Sequence, residues 1–89
     1  MMPESQKIPI TLLGDDNYLS WFVDIRAYLR RHGYWTYTQT PPRDSDDLSK
    51  YESTADLITP TLTQPVKQWL TEKEFNNGYL LFTRLKELL

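Results

Sequence analysis

The sequence predicts an all-α fold: a small helical bundle of three to five helices with an extended N-terminal arm. Three observations predict it. Apolar residues recur at i, i+3, i+4 and i+7 over about 17–32, 46–58 and 65–89, the period of an amphipathic helix. Between these stretches Gly33, Thr40-Pro41-Pro42 and Thr59-Pro60 interrupt the chain. The one β-favouring run, Tyr34-Trp35-Thr36-Tyr37-Thr38, has no convincing partner strand and reads as a packed connector.

Residues 1–7 are polar and expected to be disordered; residues 8–89 are expected to form one domain. Lys7 to Leu13 is apolar but interrupted by Pro9, which lacks an amide donor and holds its predecessor extended. It reads as an arm packed on the domain. The first helix should run from Asn17 to His32, capped by Asp15, Asp16 or Asn17, with the acids at the positive end of the dipole. Its apolar face would be Tyr18, Trp21, Phe22, Ile25, Tyr28, Leu29 and His32. Arg26, Arg30 and Arg31 suit its C-terminal end, and Gly33 is the expected left-handed stop. His32 is expected to satisfy free carbonyls there or to be partly buried.

The second helix, 46–58, carries Leu48, Tyr51, Ala55 and Ile58 on one face, with Asp44, Ser45 or Asp46 as cap. The last should open at Pro65, a favoured first-turn residue, with Thr63 or Gln64 at the cap. Its apolar positions are Val66, Trp69, Leu70, Phe75, Tyr79, Leu80, Phe82, Leu85, Leu88 and Leu89. Asn76-Asn77-Gly78 are poor helix formers, so the helix bends there or two helices meet. The apolar, in-phase end at Leu88-Leu89 reads as a fragment of a longer polyprotein or an end covered by a partner.

Eighty-nine residues make one small core, burying only about 60–65% of the unfolded surface. Three Trp, six Tyr and three Phe offset the small size, because large rings bury much area per residue. A net charge of −2 argues against a domain whose main task is neutralising phosphates. The absence of cysteine excludes disulfides, zinc knuckles and thiol chemistry and fits a cytoplasmic protein. No apolar run approaches a membrane span, and the N-terminus lacks the apolar core of a signal peptide.

One His and no Cys leave no nucleophilic constellation, and three isolated glycines make no phosphate loop. Asp15/Asp16 and Asp46/Asp47 read as caps rather than as a general acid and base. No enzyme, cofactor, metal or small-molecule substrate is expected. Arg26, Arg30 and Arg31, with Arg43, are the basic cluster. Beside Tyr28 and Tyr34 they can grip single-stranded nucleic acid by charge and stacking. They can equally be a solvated face paired with Asp24, or meet an acidic surface of a neighbouring subunit. Trp21, Phe22, Tyr28, Trp35 and Trp69 are read as core. Some of Tyr34, Tyr37, Tyr51 and Tyr79 should be exposed and mark protein contact.

Leu13, Gly14, Asn17, Tyr18, Trp21, Ile25, Leu29, Gly33 and Trp35, in that order and spacing, resemble the opening of copia-type retrotransposon Gag polyproteins. A second stretch from Trp69 is similar more weakly, with Asn77-Gly78 where that family has alanine. The resemblance implies a helical, non-enzymatic capsid domain that self-associates into virus-like particles around the element's RNA. Partners would be other Gag copies, with RNA binding weak from this segment and no membrane. A domesticated host adaptor or assembly inhibitor, and a helical nucleic-acid-binding module, are the alternatives.

Overall fold

The computed structural model describes residues 12–14, 16–44 and 47–89. Residues 1–7 and the greater part of the expected arm lie outside them. Five α-helices stand among the described residues: α1 Tyr18–His32, α2 Leu48–Ile58, α3 Gln64–Lys67, α4 Glu72–Phe75 and α5 Gly78–Leu88. Two 3-10 turns, Trp35–Thr38 and Thr59–Thr61, link them. The fold is all-α, and none of these helices is long and apolar enough to cross a membrane.

α1 buries Trp21, Ile25 and Leu29, with Tyr18, Phe22 and Tyr28 packed partly against the core. It stops where expected. Gly33 takes φ +80°, and the Gly33 and Tyr34 amides donate to the Arg30 and Leu29 carbonyls. Those bonds occupy the carbonyls His32 was expected to meet. His32 is exposed instead, its ring 4.5 Å from Tyr28.

The start of α1 corrects the sequence reading. Asn17 stands at the N-cap but its side chain makes no cap bond. It reaches backward: its Oδ1 accepts from the Gly14 amide at 2.7 Å and its NH2 donates to the Leu12 carbonyl at 2.8 Å. The segment so clasped is also pinned from across the domain. Leu13 N–H donates to the Thr61 carbonyl at 2.8 Å, and the Thr63 amide and hydroxyl donate to the Leu13 carbonyl at 3.1 and 2.7 Å. Leu13 and Leu62 thereby form an isolated parallel bridge, and Leu13 is fully buried. The hydrophobic core runs from there through Trp21, Ile58, Val66 and Leu81 to Leu85.

α2 starts at Leu48, and its cap is Asp47, whose carboxylate accepts from the Ser49 amide at 3.0 Å. Ser45 and Asp46 lie outside the described residues. Tyr51, Ala55 and Ile58 face inward as expected, but Leu48, the first residue of α2, is exposed. In the 65–89 stretch two helices meet at Asn76-Asn77-Gly78, one of the two expected arrangements, and a further break before Thr71 makes three helices in all. α3 opens at Gln64, one residue before the expected Pro65, with Thr63 at the cap position and Pro65 in its first turn, and closes at Gln68. The chain restarts at Thr71, whose amide donates to the Glu74 carboxylate at 2.8 Å, half of a capping box. It restarts again at Asn77, whose Oδ1 accepts from the Tyr79 and Leu80 amides at 2.9 and 3.2 Å.

Each restart resets the helical phase. Trp69, expected in the core, falls in the turn after α3 and is 41% exposed. In α5 the inward face is Gly78, Leu81, Phe82 and Leu85, so Leu80 points outward where a continuous helix had placed it inside. Gly78 is buried because α5 rides directly on α2: a Cβ there would meet Thr54 Cγ2 at 2.5 Å.

Candidate interaction surfaces

Aromatic packing organises the interior end of the motif. Phe82 is ringed by Trp21, Phe22 and Trp35, at 5.9, 5.8 and 5.3 Å between centroids. Trp21 Nε1–H donates to Thr61 Oγ1 at 2.9 Å, and that hydroxyl donates on to the Ile58 carbonyl. The buried indole is therefore satisfied, as is every other buried side-chain nitrogen and oxygen among the described residues. Burial raises the Tyr18 phenol above its ordinary pKa. Leu13, Trp21, Ile25 and Leu29 are core; Gly14, Asn17 and Gly33 shape the backbone around them. These motif residues build architecture rather than a reaction centre.

The arginines do not assemble with the tyrosines named beside them in sequence. Arg26 lies over the Phe22 ring, 5.1 Å from its centroid, and Arg30 over Trp35 at 5.7 Å. Tyr28, two residues from each, projects from nearly the opposite side of the helix, because residues two apart do not share a face. Tyr34 packs with Tyr37. Arg26 and Arg30 thus lie over Phe22 and Trp35 rather than beside the two tyrosines. Arg31 is exposed.

The expected exposed tyrosines are also absent. Tyr51 is buried, its hydroxyl donating to the Thr40 carbonyl at 3.0 Å; Tyr34, Tyr37 and Tyr79 are half-buried. What stays outside is mainly aliphatic: Leu12, Leu19, Val23, Leu48 and Leu80, joined by Trp69. No periodicity argument could find Leu80 or Trp69, since their exposure follows from the helix restarts.

Four of these side chains line two separate hollows. Leu19 and Val23 line one of about 420 Å³ with Ser20 and Asp24. Leu48 and Leu80 line another of about 350 Å³, with Tyr51, Glu52, Lys73, Asn76 and Asn77. A third hollow, about 500 Å³, is bordered by Thr36, Tyr37, Thr40, Arg43, Asp47, Lys50 and Tyr51. Its Asp47 carboxylate is committed to the Ser49 side chain and amide, which hold its pKa below the usual carboxylate range. Its Tyr51 hydroxyl is committed to Thr40. These groups hold the entry to α2. Among the described residues no group of three His, Cys, Asp or Glu side chains could hold a metal ion.

No family model matches the chain, and no curated protein or solved structure matches it either.

Proposed function

We propose that the chain is a non-enzymatic, capsid-like helical domain of the copia-type Gag kind that works by self-association into particles, in the cytoplasm. The observation that carries this reading is where apolar surface remains after the core closes. Leu19 and Val23 sit in one hollow and Leu48 and Leu80 in another, with no lining residue in common. Apolar side chains grouped on a surface mark contact with a partner. Two different patches on one chain permit more than one kind of contact between copies, which is what extended assembly requires. The Gag resemblance supports the same reading, because the residues that carry it specify a helical architecture and no active site.

The test is molar mass against concentration, by sedimentation from micromolar to millimolar. Growth beyond the monomer is expected. A strict monomer throughout would remove self-association and leave the adaptor reading. RNA is at most a weak partner here, since Arg26 and Arg30 rest on rings of their own domain. Binding that is tight at low salt and falls steeply as salt rises would restore the nucleic-acid reading.

A further inference from the structure

We propose that the outer face of α1 is a twofold contact between two copies of this chain, laid antiparallel about Val23; the proposal deepens the self-association reading above and rests on it. At about 100° per residue, Leu19, Val23, Ala27 and Arg30 fall on one side of α1, opposite Trp21, Ile25 and Leu29. All four are exposed, and Leu19, at 73%, is the most exposed large apolar side chain among the described residues.

When two identical helices lie antiparallel about a twofold axis, positions equidistant from the axis oppose each other. With the axis at Val23, Leu19 (four residues before) meets Ala27 of the second copy (four after), a large side chain over a small one. Val23 meets its own equivalent. Asp16, exposed in the bend just before α1 and seven residues before the axis, stands at the end where Arg30 of the second copy, seven after, would lie. The face is therefore acidic at its start, apolar in its middle and basic at its end. Such a face complements itself only when the second copy runs the other way; a parallel copy would set like charges together. Antiparallel packing also places opposite ends of the two helix dipoles side by side. This charge pattern selects a second copy of the chain as the occupant. The Leu48 and Leu80 hollow then remains for a different contact.

Sedimentation of charge-reversed variants tests the contact. Asp16→Arg alone and Arg30→Glu alone each make both symmetry-related pairs repulsive, and each should weaken self-association roughly tenfold. Mixing the two variants restores attraction at both pairs, so the mixture should associate as tightly as the original chain. Because Arg30 also stacks on Trp35, Ala27→Glu serves as a second variant: position 27 is exposed, glutamate favours helix, and the seat for Leu19 is filled. It should abolish the dimer while the helical circular dichroism and the melting temperature stay unchanged. Reversals or Ala27→Glu that leave the mass–concentration curve unchanged, or a mixture no tighter than its components, would overturn this contact while self-association itself survives. An original chain that stays monomeric at every concentration would overturn both.

Discussion

Replacing Gly78 by alanine separates what helix propensity predicts from what packing predicts, because the two differ in sign. Alanine for glycine in a helix stabilises by up to about 1 kcal/mol. In the folded domain, however, the new Cβ would lie 2.5 Å from Thr54 Cγ2 and 2.6 Å from Thr54 Cβ. Carbon atoms in contact settle at about 3.5–4 Å, so α2 and α5 would have to part by about 1 Å. Thr54 cannot turn aside: it is fully buried and its hydroxyl donates to the Lys50 carbonyl at 2.8 Å. Overpacking of this kind costs about 1–3 kcal/mol. With the full propensity gain of about 1 kcal/mol subtracted, the net loss for Gly78→Ala is up to about 2 kcal/mol. For a domain of this size that lowers Tm by up to roughly 16 °C. The assay is thermal and urea unfolding followed by circular dichroism, with Thr54→Gly as a second background. Thr54→Gly removes both clashing atoms, so in the double-mutant cycle the two changes should cost less together than their sum, by about 1 kcal/mol. Gly78→Ala melting at or above the original temperature would refute the close approach of the two helices.

Three further outcomes are expected. Trp21→Ala should cost about 3–5 kcal/mol, comparable to the whole stability of so small a domain, whereas Trp69→Ala should cost under about 1 kcal/mol; equal losses by urea unfolding would contradict their burial. Asn17→Ala should speed hydrogen exchange at the Gly14 amide, whose acceptor it removes, and leave the α1 amides protected; loosening confined to the first turn of α1 would return Asn17 to the role of a cap. Asp47 has its pKa lowered by hydrogen bonds from Ser49, so the stability it contributes is present above the unfolded carboxylate pKa and is lost as pH falls through the lower folded value. NMR titration should show the Ser49 amide shifting below the ordinary aspartate range, and a midpoint at or above that range would exclude the bond.

Sequence determined much of this protein by itself. The period of Trp21, Ile25 and Leu29 put one long helix against the core, and Gly33 ended it, because both depend on local geometry that any α-helix shares. Pro65 likewise marked a helix start. Composition removed cysteine chemistry without reference to any contact. The tertiary structure decided what lies between locally satisfied segments. Asn17 turned back to clasp Leu12 and Gly14 because that segment is anchored on Thr61 and Thr63, more than 40 residues away in sequence. Trp69 and Leu80 were pushed outward because the chain restarts at Thr71 and Asn77, and each restart sets a phase that no single period can carry through. Arg26 and Arg30 came to lie on rings because Trp35 and Phe22 share their side of the bundle. Gly78, a weak helix former by local preference, is required where two helix backbones approach closely, and that approach exists only once α2 and α5 have met.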